Sequence, residues 1–230
     1  MHRFIRLAQP VSARTTRVGL FLAFAAAALF AGAAAHAQFA PPEPGTQVHD
    51  PAALRPPAGA RVAIVEFEDL ECPDCSRANV ILKQAATTYH IPWIRHDFPL
   101  PFHNWSLFAA VNARWFDTKS KALGDEYRDQ VFANQPSIVS PEVLATFTAK
   151  FATDHHISLP FALDPQGKLL AEVKADYALG QRIGIEHTPT IWVVTANNTK
   201  GAPFVEVVDR TKLYQLIDEA LAQTTPAKAK

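Results

Sequence analysis

The sequence predicts an α/β fold, on three observations. Val62, Ala63, Ile64 and Val65 form a short apolar, β-branched run of the kind that makes a buried strand, and helical spacing of apolar residues begins a few positions later. Residues 93–98 read as a second strand, and residues 190–195 and 204–208 as a hairpin pair. Between these strands, roughly residues 104–182 carry helical periodicity.

In chain order, residues 1–37 read as a signal peptide. Arg3, Arg6, Arg14 and Arg17 supply positive charge without any acid, residues 18–35 are an uncharged alanine-rich run, and Ala35-His36-Ala37 fits a small-x-small cleavage site. An uncleaved membrane anchor through residues 18–35 is the alternative, and a mitochondrial transit peptide fits less well because it needs no long uncharged core. Removing the segment takes away four of 22 basic and none of 22 acidic residues, so the remaining chain is mildly acidic. No basic stripe or helix appears, which argues against nucleic acid as a partner. Residues 38–60 hold six prolines and read as an extended spacer, with the fold beginning near Arg61.

After the first strand, the acidic residues 66–71 are expected to carry the chain out of the sheet. A helix then starts at Cys72, with Pro73 at the first helical position, where its missing N–H costs nothing. Ala78, Ile81, Leu82, Ala85 and Tyr89 follow at helical spacing, and His90-Ile91-Pro92 ends the pattern. Beyond the second strand, Asn104 is the expected N-cap of a helix whose apolar face is Leu107, Phe108, Val111 and Trp115. Tyr127, Val131 and Phe132 mark another helix, Ser140-Pro141 starts one that carries Leu144, Phe147 and Phe151, and Asp164-Pro165 starts one that carries Leu169, Leu170, Val173 and Tyr177. The aromatic residues on these repeating faces belong to a core. Asn197-Asn198 and Gly201 turn the hairpin, Asp209 caps a last helix with Leu213, Leu216, Ile217 and Leu221, and a polar tail from Thr224 has nothing to pack.

The chain has two cysteines, Cys72 and Cys75, in one Cys-x-x-Cys between strand and helix. That placement puts Cys72 at a helix N-terminus, where unpaired N–H groups and the macrodipole favour a thiolate. As a structural staple the bridge would close a four-residue loop worth only about 2 kcal/mol. A zinc site would need two further ligands, such as His155 and His156. Roughly 190 residues without a leader bury a core without staples. Redox chemistry is therefore the favoured reading, and the pattern is silent about its direction.

The stretch VAIVEFEDLECPDC resembles the active-site strand and helix start of DsbA-type thiol-disulfide oxidoreductases of the thioredoxin superfamily. DFPLPFHNWS at residues 97–106 and GIEHTPTIWVV at residues 184–194 resemble that family's second-strand exit and cis-proline loop, and the likeness runs over about residues 60–221. The resemblance implies a thioredoxin fold over residues 61–223 with a helical subdomain inserted at about residues 104–182. It implies an exported oxidoreductase whose partners are cysteine-containing exported proteins and a second redox protein, in the membrane or soluble, that resets the disulfide. Localisation would be periplasmic or otherwise extracytoplasmic, and neither a cofactor nor a metal is implied.

By that resemblance Cys72 is the attacking thiolate and Cys75 resolves the mixed disulfide. Thr188 and Pro189 match the substrate-facing cis-proline loop, the alternative being an ordinary trans proline at a strand start. Glu66 falls where the family keeps a buried carboxylate able to relay a proton, its alternative being a solvated acid at a strand end. Pro73, Asp74 and His187 are the candidate tuning positions. Asp74 departs from the histidine or tyrosine common there and is expected to raise the pKa of Cys72, which favours a reductase or isomerase over an oxidant. His187 would add positive charge or simply be solvated. Oxidation of exported proteins is the preferred direction. A soft-metal module using the two thiolates is the reading from another class, weakened because Met1 is the only methionine.

Overall fold

The computed structural model describes residues 45–196 and 203–224. Its sheet has four strands: β1 (Val62–Glu68), β2 (Trp93–Asp97), β3 (Thr190–Thr195) and β4 (Phe204–Glu206), in the order β2-β1-β3-β4. β1 and β2 run parallel, joined by helix α1 (Pro73–Tyr89), while β3 is antiparallel to both β1 and β4. Helices α2 (Ser106–Asp117), α3 (Lys121–Asn134), α4 (Pro141–Asp154) and α5 (Lys168–Ile183) lie in sequence between β2 and β3. Helix α6 (Leu213–Gln223) closes the described chain. This is the predicted thioredoxin fold with a helical insertion.

Each face of the sheet has its own core. Ile64, Ile191 and Val193 pack with Ala78 and Leu82 of α1 and with Leu213 and Ile217 of α6. On the other face Val65, Phe67 and Trp192 pack with Phe98, Ile183 and Leu54. Gly180 of α5 permits this second contact, because a Cβ there would lie 2.6 Å from the Phe98 ring. A third cluster fills the helical insertion around Trp105, Phe116, Tyr127, Leu144 and Phe151, and it includes both cysteines. The cysteines are thus covered by the insertion.

Several elements differ from the sequence expectation for identifiable reasons. β1 does not end at Val65 but runs through Glu68, with all seven residues buried. Its acids are accommodated because partners follow them inside: Glu68 takes two hydrogen bonds from Arg95 (3.0 and 2.7 Å), and Trp93 Nε1 donates to Glu66 at 3.0 Å. Asp69 accepts from the Glu71 and Leu100 N–H groups and the Ser106 hydroxyl, and pairs with His103. Asn104 does not cap α2. The Glu71 carboxylate does so from outside, accepting from the N–H groups of Trp105 and Ser106. The buried face of α2 is Ala109, Ala110, Ala113, Trp115 and Phe116, and the expected Leu107 and Phe108 are exposed.

Ser140 caps α4 as expected. α5 starts three residues after Pro165, with the Asp164 carboxylate reaching the Leu170 N–H at 2.8 Å. Asp209 caps a 3-10 turn, Arg210–Lys212, that leads into α6. Thr224 is buried rather than part of a tail, holding Arg61 through its carbonyl and hydroxyl.

The expected spacer is not detached over residues 45–60. Thr46 binds the Glu206 carboxylate, His49 N–H donates to Ile183 O at 2.8 Å, and Leu54 is 2% exposed. Gly184, with φ +104°, lets this strap approach, since a Cβ there would meet Gln47 O at 2.7 Å. Residues 1–44, the Asn197-Asn198 and Gly201 turn, and residues 225–230 lie outside the described residues. Among the described residues no helix is long and apolar enough to cross a membrane.

Arg95 and Glu68 are 3% and 1% exposed at their side chains, so neither charge tolerates loss of the other. Arg95→Leu is expected to cost roughly 3–5 kcal/mol in urea unfolding. Combining it with Glu68→Gln should recover part of that loss, because no buried charge is then left unpaired.

Candidate active site

Cys72 is the N-cap of α1 in extended conformation, Pro73 takes the first helical position, and Asp74 follows in the first turn. The two cysteines are unbridged thiols, Cys72 8% exposed and Cys75 fully buried. The Thr188–Pro189 peptide bond is cis and faces Cys72, whose Sγ lies 3.3 Å from Thr188 O. The structure therefore brings Cys72, Cys75, Thr188, Pro189 and Glu66 into one region on the sheet's central strands and the start of α1.

The two thiols are electrostatically unequal. Cys72 is lowered to about 6, first by the hydrogen bond from the Cys75 thiol and then by the N–H groups of Cys75 and Asp74, against the opposing cost of burial. Cys75 is raised well above the ordinary thiol range, chiefly by burial and then by its bond to Cys72 and the nearby charges of Cys72 and Glu66. Its sulfur accepts from the Asp69 N–H at 3.4 Å. At neutral pH the pair holds one proton and one negative charge, with the charge on the more accessible sulfur.

Glu66 is 1% exposed, which removes the solvated-acid alternative. Burial pushes its pKa up to about 8, the neighbouring Glu68 adds to this, and Arg95 and Trp93 oppose it. One of its oxygens has no hydrogen-bond partner. Glu66 is thus a proton-holding group within electrostatic reach of both cysteines.

The charge of Asp74 is met by two arginines that the sequence reading did not pair with it. Its Oδ1 accepts from Arg210 at 2.7 Å and from Arg77 Nε at 3.1 Å, and the Arg210 hydrogen bond is the first cause holding its pKa below the usual range. The thiol it was expected to raise is lowered instead. His187 is exposed and, with Asp74, Pro189, Glu206 and Arg210, lines a small groove of about 140 Å³ beside the cysteines. His155 is engaged elsewhere, by Phe151 O and Glu126.

Three functional neighbours carried no sequence signal. Gln135, from the 3-10 turn after α3, donates to Leu70 O (2.7 Å) and Cys72 O (3.0 Å), fixing the cysteine loop to the insertion. Trp93 reaches Glu66 from the next strand, in a register that the parallel pairing sets. Arg210 follows Asp209, which was legible only as a cap.

The family model for thioredoxin matches residues 57–203. No curated protein sequence matches the chain. Among solved structures, the thiol-disulfide exchange protein alpha-DsbA2 of Wolbachia pipientis is similar with a TM-score of 0.57 and 19% identity, over 72% of this chain and 84% of its own. Oxidised BdbD of Bacillus subtilis is similar with a TM-score of 0.57 and 19% identity, over 77% of this chain and 98% of its own. A periplasmic thioredoxin-like protein of Salmonella enterica serovar Typhimurium is similar with a TM-score of 0.54 and 18% identity, over 75% of this chain and 92% of its own.

A raised, buried carboxylate makes stability depend on pH. A group raised from 4.5 to about 8 contributes stability that is complete below 4.5 and is lost as pH rises through 8. Glu66→Gln is therefore expected to be more stable than the wild type at pH 9 by at least about 1 kcal/mol, with the gain shrinking toward pH 5. Denaturant unfolding of the reduced protein at the two pH values measures it.

Proposed function

The chain belongs to the thioredoxin family, and from that premise we propose that it is a DsbA-like thiol-disulfide oxidoreductase that works outside the cytoplasm as an oxidant of exported proteins. The observation that carries this reading is the inequality of the two thiols, with Cys72 lowered to about 6 and Cys75 raised. Stabilising the Cys72 thiolate stabilises the reduced form, and a stabilised reduced form makes the disulfide a stronger oxidant.

In the proposed cycle a substrate thiolate attacks Cys72 Sγ of the Cys72–Cys75 disulfide. The S–S bond breaks, a mixed disulfide forms, and Cys75 leaves as a thiolate that takes up a proton from Glu66. A second substrate thiolate then attacks the substrate sulfur of the mixed disulfide and releases Cys72 as a thiolate. The substrate has lost two electrons and the enzyme has gained them. A second redox protein, in the membrane or soluble, removes those electrons and restores the disulfide. Thr188 and Pro189 offer backbone groups to an extended substrate beside Cys72, and the groove next to them takes the neighbouring substrate residue. Residues 1–37 direct export, with cleavage after Ala37 or retention as an anchor deciding whether the enzyme is free or tethered.

Asp74 and the acidic loop before Cys72 were the features that favoured a reductase or isomerase, and the engagement of Asp74 by Arg77 and Arg210 weakens that reading. Equilibration of residues 38–230 with glutathione buffers is expected to give a potential in the range of about −120 to −180 mV, whereas a value around −270 mV would place the protein with reductases. Cys75→Ser should accumulate mixed disulfides through Cys72 with exported proteins. An empty trap in cells where the variant is exported would sink the exchange reading itself.

A further inference from the structure

Asp74 stands between the cysteines in sequence, yet two arginines take up its charge. Arg77 lies one turn along the same helix with a side chain 67% exposed, a pair of the kind that contributes little. Arg210 arrives from the turn between β4 and α6, with a side chain 31% exposed and the shorter contact of 2.7 Å. Its backbone is held on both sides: Asp209 accepts from the Thr211 N–H and hydroxyl, and Leu213 is completely buried. Arg210 also borders the groove lined by His187 and Pro189, and its charge is felt by both cysteine sulfurs.

We propose that Arg210 is a positioning residue for the thiol chemistry, holding the Asp74 carboxylate neutralised and directed away from Cys72. This rests on the reading of Cys72 as the exchanging thiolate. A free carboxylate in the first turn of α1 would compete with that thiolate for the same helix N-terminus, and like charge at close range disfavours the second anion. The backbone N–H of Asp74 helps stabilise Cys72 while its side chain, left alone, would do the reverse. Arg210 separates the two effects: the N–H serves the thiolate and the carboxylate serves the arginine. An aspartate inside the cysteine motif thereby becomes compatible with an oxidant.

The test is a pH titration of the Cys72 thiolate in the reduced protein, followed by its ultraviolet absorbance, with circular dichroism to confirm folding of each variant. Arg210→Gln is expected to raise the Cys72 pKa by about one unit, cutting the thiolate fraction at pH 6 roughly fivefold. In an Asp74→Asn background the same substitution should move it less than half as far, and Arg77→Gln alone should leave it in place. The disulfide of Arg210→Gln should become less oxidising in step. An unchanged pKa in Arg210→Gln, or an equal shift in both backgrounds, would overturn the proposal, the second by showing that Arg210 acts without Asp74. Because the titration needs no substrate, it reads out independently of mixed-disulfide trapping.

Discussion

Glu68 and Arg95 are almost entirely withdrawn from water, and the bidentate pair between them adds a side-chain link to the backbone pairing of β1 and β2. Glu68 lies at the end of the central strand and Arg95 on its parallel neighbour. Arg95 also donates to Asn79 of α1 at 3.2 Å, lies over the Trp93 ring at 4.4 Å, and stands 3.9 Å from Asp125 and Asp129 of α3. Arg128 of α3 closes on Glu68 from the other side at 3.6 Å. A buried ion pair gains little net stability over a well-packed apolar pair, because desolvation offsets the attraction. What this pair supplies is placement. It fixes where α3 sits on the sheet, and the turn that follows α3 carries Gln135, which grips the cysteine loop.

The same desolvation sets the chemistry. The low-dielectric interior that makes Glu68 and Arg95 depend on each other leaves Glu66 with one unpartnered oxygen and a pKa near 8. It also raises Cys75, while Cys72, at the helix start and beside Thr188, keeps donors enough to hold a charge. Burial thus acts in opposite senses along a short path from Glu66 through Cys75 to Cys72, and protonation is sorted by the number of donors each group reaches. The helical insertion is part of this sorting. Its core includes both cysteines, and its Phe132 carbonyl accepts from the Ser76 hydroxyl at 3.0 Å, so it helps exclude water from the Cys75 thiol.

Local signals in the sequence located most elements and the Cys72-Cys75 pair, while Glu66, Thr188 and Pro189 came from the family resemblance. Val62 to Val65, the proline after Cys72, Ser140-Pro141 and the apolar spacing of α1 and α6 each act within one or two turns, so pattern alone exposes them. The acidic run 66–71 was misjudged because its meaning lies in partners 27 to 37 residues away: Trp93, Arg95, and Trp105 and Ser106 at the start of α2. Asp74 failed for the same reason at longer range, its decisive partner being 136 residues on. The α2 face failed differently. Trp115 is buried and Val111 packs on the core as expected, but alanines supply much of the remaining buried side while the larger Leu107 and Phe108 are exposed, so hydrophobicity by size chose only part of the stripe.

The proline-rich strap makes the same point about composition. Prolines without periodicity suggested a spacer, since few donors remain to bind anything. A stiff chain, however, gives up little conformational entropy on docking, so a small number of contacts suffices to hold it. Here those contacts are the His49 N–H to Ile183 O, the burial of Leu54, and the Thr46 bonds to Glu206. Glu206 ends the short edge strand β4 and lines the groove beside Pro189. Through these bonds Thr46 covers part of an otherwise open sheet edge, while the Glu206 carboxylate keeps its charge beside the groove. The groove is thus bordered by a carboxylate held by Thr46 and by Arg210, which is itself committed to Asp74.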